Sequence, residues 1–316
     1  PVLYCGVKAV SHHRKALKLD DMQIHGVKSV NDIIPRKFNV VDLWDEDVPI
    51  ELGKPSGQQS KYAIQSLEAA AQDLGQGKID MLVTAPIDKH SMQLAGFQFP
   101  GHTEFLSHLA GSDSPVLMIL VGDGLRVALV TGHLPINQVA EAVTTERIIG
   151  KARLFNRSLQ SDFGINQPRI AVLGLNPHAG DGGAIGSEDK ERIAPAVRKL
   201  QEEGINAMGP YPADGFFGNG SYKHFDGVLA MYHDQGLAPF KALSFGHGVN
   251  YTAGLPIVRT SPDHGTGLGI AGRNEADPGS LRHAVWLGLD IIRNRERWKR
   301  MSANPLQPQK KEKGGE

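Results

Sequence analysis

The sequence predicts an α/β protein, on three observations. Short apolar runs of strand length alternate with longer amphipathic runs of helical period. Glycine and proline punctuate the boundaries between the two kinds of run. At 316 residues the chain is also long enough for one large or two ordinary domains, each with its own core.

Taken in order, residues 2–4 open as a strand. Over 60–74 the spacing predicts a helix, with Ala63, Ile64, Leu67, Ala70, Ala71 and Leu74 on one side and Gly75 to stop it. A strand over 79–83 ends in Thr84-Ala85-Pro86. The apolar runs 116–121 and 125–130 are joined by Gly122-Asp123-Gly124, a hairpin signal. Helical period returns over 146–163, and 170–175 reads as a buried strand leading to Asn176-Pro177-His178. A helix is expected over 188–201, its first-turn acids suiting the helix dipole. Residues 228–232 form a strand before His233, and 257–259 lead into a glycine-rich loop, 263–272. The last helix spans 280–298. The tail, 304–316, is rich in lysine, glutamine, proline and glycine and is expected to be disordered.

Composition excludes several classes of function. Lysine plus arginine equals aspartate plus glutamate, 34 each, so no whole-chain field attracts nucleic acid or an acidic membrane. The longest apolar runs are strand-length, and residues 1–10 lack the layout of a signal peptide. Cys5 is the only cysteine, which rules out internal disulfides and thiolate metal cages; it reads as a small buried hydrophobe. The expected location is the cytoplasm, with no nucleic-acid or membrane partner.

Three histidines stand just beyond strand-like runs: His133 after 127–130, His178 after 170–175 and His233 after 228–232. In open α/β sheets ligands gather at the carboxyl ends of strands. Imidazole suits zinc and other late divalent ions, and three protein ligands leave a position open for substrate. A strand-end histidine is also commonly a surface or hydrogen-bonding residue, so position alone leaves both readings open.

Gly267-Leu268-Gly269-Ile270-Ala271-Gly272 matches G-x-G-x-x-G literally. A dinucleotide fingerprint opens a helix directly, whereas turn residues from Arg273 to Gly279 follow here, which disfavours a Rossmann site. The stretch Gly180–Gly186 lacks the P-loop lysine and runs into Glu188 and Asp189, so it reads as a tight turn. Lys241 and Arg259 are cationic candidates for an anionic substrate, arginine by bidentate contact and lysine as a point charge.

Read together, these segments resemble the 4-hydroxythreonine-4-phosphate dehydrogenase family of vitamin B6 biosynthesis. The resemblance runs from Gly53 to Ala284 and rests on blocks in the family's order. They are Val83-Thr84-Ala85-Pro86-Ile87-Asp88-Lys89, Phe99-Pro100-Gly101-His102-Thr103-Glu104 and Gly132-His133-Leu134-Pro135, followed by Asn176-Pro177-His178-Ala179-Gly180. The later blocks are Gly209-Pro210-Tyr211-Pro212-Ala213-Asp214, Tyr232-His233-Asp234-Gln235-Gly236 and Asp263-His264-Gly265-Thr266.

The resemblance implies a fold and a set of roles. The fold is that of isocitrate and isopropylmalate dehydrogenases: two α/β/α domains about a cleft, here 1–100 with 254–303 on the nucleotide side and 101–253 on the metal, substrate and dimer side. His133, His178 and His233 match the metal ligands, for zinc, magnesium or cobalt. His102, Thr103, Lys241, Asn250 and Arg259 match substrate contacts, and Lys241 and Asp214 are the catalytic candidates. Gly265, Thr266, Gly267, Gly269 and Gly272 line the site for NAD or NADP. Asp234, beside His233, is either an orienter of that ring or a plain structural contact. A homodimer is implied, with the active site completed across the interface, so the three histidines need not share a subunit. The family opens with a further strand, a Gly-Asp-x-x-Gly-Ile-Gly turn and a helix. None of these precedes Pro1, and this N-terminal strand is expected to be missing.

The activity implied is oxidation of 4-phosphohydroxy-L-threonine at C3 followed by decarboxylation to 3-amino-2-oxopropyl phosphate. Alternatives are a dehydrogenase for a related phosphorylated hydroxy acid, such as threonate or erythronate 4-phosphate, a metallohydrolase using the same histidines, or a non-catalytic phosphometabolite-binding protein.

Overall fold

A computed structural model describes residues 1–111, 115–244 and 246–304. The chain begins with β1 (Val2–Cys5), α1 (Val7–Ala16), β2 (Ile24–Val27) and β3 (Phe38–Asp42). These strands make a parallel three-stranded sheet in the order β1-β3-β2. Asn39, a buried polar residue on the central strand β3, is satisfied by clamping the turn before it. Its side chain accepts from the Ile34 amide at 2.9 Å and donates to the carbonyls of Ile34 and Lys37 at 2.9 and 3.0 Å. Neither β2 nor β3 is legible in the sequence, because both are short, β2 has His25 and Gly26 among its four residues, and β3 turns Asn39 inward.

Next comes α2 (Gly57–Gly75), capped by Ser56, whose hydroxyl accepts from the Gln59 amide at 3.1 Å. Leu67, Ala70, Ala71 and Leu74 are its buried side, as the spacing predicts, and the helix ends at Gly75. The helix packs against β1 and against β4 (Met81–Val83), the edge of a second sheet.

The rest of the chain supplies α3 (Lys89–Leu94), α4 (His102–Leu109), β5 (Leu117–Gly122), β6 (Leu125–Leu129), α5 (Ile136–Ala142) and α6 (Thr145–Ser161). Then follow β7 (Arg169–Leu173), α7 (Ala194–Glu202), β8 (Asn206–Tyr211), α8 (Ala213–Gly218), β9 (Gly227–Ala230) and α9 (His233–Leu243). The last elements are β10 (Val249–Ala253), β11 (Val258–Pro262) and α10 (Gly279–Ser302). The tail expected to be disordered lies, beyond Asn304, outside the described residues.

The second sheet has the order β4-β11-β10-β5-β6-β9-β7-β8. β6, β9, β7 and β8 run parallel, while β10 and the β5–β6 hairpin bring in the antiparallel pairs. The hairpin turns on Asp123 (φ 47°) and Gly124 (φ 80°), both left-handed, as a two-residue turn matching strand twist requires. This sheet draws strands from both parts of the expected two-domain division.

Helices cover both faces. Phe155, Leu159 and Ile148 of α6 and Ile291 of α10 bury one face together with Ile119, Tyr251 and Val258. Leu237 and Phe240 of α9 and Phe216 of α8 bury part of the other with Leu120, Val127 and Leu129. The pleat decides which side chains go where: Tyr251 faces the α6–α10 core, while its neighbours Asn250 and Thr252 point to the α9 side. No helix among the described residues is long and apolar enough to cross a membrane.

One helix departs from expectation. The 188–201 run is a π-helical turn, Asp189–Ile193, followed by α7. Asp189 is buried and accepts from the amides of Leu175 and Asn176 at 2.8 and 3.1 Å and from Asn176 Nδ2 at 2.9 Å. Its carboxylate staples the helix start to the exit of β7, a larger role than its placement in the dipole's field suggests.

Candidate active site

The parallel run β6-β9-β7 places His133, His233 and His178 beyond neighbouring carboxyl ends. Convergence is partial within the chain. The rings of His133 and His233 lie 5.6 Å apart, centre to centre. Among the described residues, however, no group of three histidine, cysteine, aspartate or glutamate side chains is arranged to hold a metal ion, so His178 stands outside the pair. Asp234 Oδ1 lies 2.7 Å from His233 Nδ1, which leaves Nε2 as that ring's free nitrogen. Burial, with Lys89 and His233 nearby, lowers the His133 pKa. That favours the neutral imidazole a metal needs.

The His178 loop is built under strain. His178 (φ 55°), Ala179 (φ 51°) and Asp181 (φ 43°) are left-handed in series with Gly180 and Gly182. Each such non-glycine residue costs roughly 1–2 kcal/mol. Asp189 holds the loop's entry, and Gln235 ties it to the start of α9. Gln235 Oε1 accepts from the Met231 amide at 2.7 Å, and its Nε2 donates to the Gly174 carbonyl at 2.6 Å. α8 packs on the loop, so Asp214, exposed in that helix's first turn, belongs to the His178 side of the molecule.

A second cluster forms where β4, β10 and β11 meet the start of α4. Arg259, only 5% exposed, points to the same face as its cross-strand neighbour Thr252. Thr84 Oγ1 accepts from its Nε at 3.0 Å and its Nη2 at 2.7 Å, and Nη2 also reaches His102 Nδ1 at 3.1 Å. Burial pulls Arg259 down to about 10, with Glu104 opposing, so it stays a cation. Burial, then Arg259 and Lys89, push His102 down to about 3. Thr103 Oγ1 lies 3.5 Å from Thr252 Oγ1, and the side-chain amide oxygen Oδ1 of Asn250 is buried without a hydrogen-bond partner among the described residues.

Lys89 and Glu104 lie within electrostatic reach of both clusters. Lys89 acts on both His102 and His133, and Glu104 on both Arg259 and His133. On the other side, Lys241 Nζ is 3.8 Å from Asp263 Oδ1. Burial raises the Asp263 carboxyl, while Lys241, His264 and His233 counter it. Beyond Asp263 the loop with Gly265, Thr266, Gly267, Gly269 and Gly272 is largely exposed and holds one short 3-10 turn, Leu268–Ile270, before α10 begins at Gly279. Thr84, Lys89, Glu104, Thr252 and Asp263 were not singled out as site residues in the sequence. Four of the five lie inside the family blocks, Thr252 being the exception, but only the fold shows what each touches.

Residues 1–288 match the family described as pyridoxal phosphate biosynthetic protein PdxA. This chain belongs to the PdxA family. A PdxA-like relative from Bacteroides thetaiotaomicron, named 4-hydroxythreonine-4-phosphate dehydrogenase, is 49% identical over 99% of this chain and 86% of its own. A Sulfurihydrogenibium protein of the same name is 44% identical, over 93% of this chain and 90% of its own. Among solved structures, 4-hydroxythreonine-4-phosphate dehydrogenase from Klebsiella pneumoniae superposes with a TM-score of 0.76 at 32% identity, covering 92% of this chain and 90% of that one. A terephthalate 1,2-cis-dihydrodiol dehydrogenase from Burkholderia xenovorans is more distant, with a TM-score of 0.57 at 26% identity over 92% of this chain and 97% of its own. The PdxA fold and the α/β class expected from the sequence agree.

Proposed function

We propose that this chain oxidises 4-phosphohydroxy-L-threonine at C3 with NAD or NADP, and that the product loses carbon dioxide to give 3-amino-2-oxopropyl phosphate for vitamin B6 synthesis. One observation carries the reading: a buried Arg259–His102 contact, fit for an anion, with Lys89 and Glu104 in electrostatic reach of both it and His133 of the His133–His233 pair. Near-full-length identity of 49% to a protein bearing that enzyme's name supports the substrate.

The chemistry of the donor set fits a divalent ion of the zinc, magnesium or cobalt kind, with two imidazoles from one chain and a third to be supplied. In the proposal His178 of the partner subunit supplies it in a homodimer, and Asp214 accompanies His178 because α8 packs on its loop. When bound, the ion contributes Lewis acidity at the substrate hydroxyl and the nicotinamide accepts the hydride. Arg259, His102 and Thr103 grip the phosphate, and Asn250 takes a hydrogen bond from the substrate's polar end. Lys241 and Asp214 are the groups proposed to take the hydroxyl proton, Lys241 held beside Asp263. The loop from Gly265 to Gly272 receives the nucleotide. Segments 1–100 with 254–303 and 101–253 then act as nucleotide and substrate sides, and the enzyme works in the cytoplasm.

The test is reduction of NAD and NADP, followed by absorbance, with 4-phosphohydroxythreonine, threonate 4-phosphate and erythronate 4-phosphate, each after chelation and metal add-back. Turnover is expected with the first and only with metal restored. Turnover confined to the other two acids would reassign the substrate, and no reduction with any of them would sink the dehydrogenase reading.

A further inference from the structure

Arg259 has fewer hydrogens to offer a ligand than its position suggests. A guanidinium carries five N–H donors and no acceptor. Thr84 Oγ1 takes Nε and one Nη2 hydrogen, at 3.0 and 2.7 Å. His102 Nδ1, 3.1 Å away, takes the other Nη2 hydrogen. Nη1 has only Thr252 Oγ1 at 3.5 Å, too long to hold it. Thr84 therefore closes the side-on fork of the guanidinium, and His102 breaks the end-on fork. The bidentate grip anticipated from residue type is not available; Nη1 alone is without a close partner among the described residues.

The same geometry fixes the state of His102. Because Arg259 can only donate, Nδ1 must accept, and the ring's single proton lies on Nε2. A second proton on Nδ1 would set two donors against each other beside a buried cation. Burial and the charges of Arg259 and Lys89 weigh against it in the same direction.

We infer that Thr84 is a positioning residue: by anchoring Arg259 it turns Nη1 toward the substrate's anionic group and holds His102 as the neutral tautomer that donates from Nε2. The pair then offers N–H donors and no proton acceptor, which selects a group made of acceptors, such as a phosphate dianion, over a hydroxyl or an amine. This deepens the proposed function and rests on its assignment of His102 and Arg259 to the phosphate.

The experiment uses the full chain labelled with ¹⁵N in histidine, with the His102 signals assigned by their loss in His102→Gln. Wild type should show an unprotonated Nδ1 and a protonated Nε2. Thr84→Val keeps the shape and removes the acceptor. It should lose the single-tautomer pattern and raise KM for the phosphorylated substrate about tenfold, the worth of one charge-assisted hydrogen bond, with little change in kcat. Thr84→Ser should restore both. A wild-type His102 protonated on Nδ1 overturns the inference, as does a Thr84→Val that keeps both the tautomer and KM. The wild-type spectrum needs no substrate. Failure of the activity assignment would appear as absent NAD(P) reduction with the tautomer in place, and failure of this inference as the wrong tautomer whatever the turnover.

Discussion

His102 shows how one residue couples the site to stability. Unfolded, its ring titrates at the ordinary 6.5; folded, burial with Arg259 and Lys89 alongside brings it to about 3. Between those values the folded state binds fewer protons than the unfolded one. The ring's contribution is therefore fully present above about pH 6.5 and lost as pH falls toward 3. The loss expected from this residue is roughly 2–5 kcal/mol. Urea unfolding of wild type and His102→Gln at about pH 7 and about pH 4 should show the variant losing less on acidification. Parallel losses in the two proteins would refute the assignment. Arg259, the partner that enforces this, was legible as a cation near a strand. That its donors are already engaged was not, because Thr84 and His102 are remote in sequence and meet it only after β4, β11 and α4 assemble.

Among the elements, α6, β10 and α10 are joined by one buried carboxylate. Asp162, 3% exposed, accepts from Ser158 Oγ at 2.6 Å, Tyr251 Oη at 2.7 Å and Arg295 Nε at 2.8 Å. Removing it leaves the Arg295 guanidinium without its counter-charge, holding only the carbonyls of Leu255, Pro256 and Ile257 and the Tyr251 hydroxyl, and leaves that hydroxyl without its acceptor. Asp162→Ala should cost about 3–5 kcal/mol, read as a lower urea midpoint. A shift below about 1 kcal/mol would mean that water replaces the carboxylate. Elements with a strong period were readable: α2, α6, the β5–β6 hairpin and α10 sit close to where their apolar spacing puts them. β10 was not, since Asn250 and Thr252 interrupt its apolar residues. That face carries candidate site residues, while Tyr251 packs into the core. α9 was missed for a related reason: Gly236 and Pro239 are poor helix formers, yet a side chain at Gly236 would come within 3.0 Å of Val127, Leu129 and Ala230. Close packing against β6 and β9 outweighs propensity there.

For the whole molecule the decisive question is whether the proposed metal site takes His178 from the same chain or from a partner subunit. His133 and His233 meet within the chain, whereas His178 does not join them in any three-ligand group. If two chains share the metal across a two-fold axis, His133→Ala and His178→Ala chains complement each other. A dimer carrying one of each keeps one site with all three histidines. After unfolding and refolding an equal mixture, about a quarter of wild-type metal content and activity should return, since half the dimers are mixed and each holds one intact site. No recovery, with mixed dimers verified by mass, would place all three ligands in one subunit.

The sequence by itself determined the α/β class, the family through its ordered blocks, and the stations of the three histidines beyond strands. These are local facts: period, turn chemistry and strand ends are written in neighbouring residues. Tertiary structure decided which stations meet. Strand order brings β9 beside β6 and so joins His133 to His233. Sheet register sets Arg259 against Thr252, and the fold carries Thr84 and His102 to the same guanidinium. A hydrogen bond between residues 175 positions apart depends on topology, which no local spacing encodes.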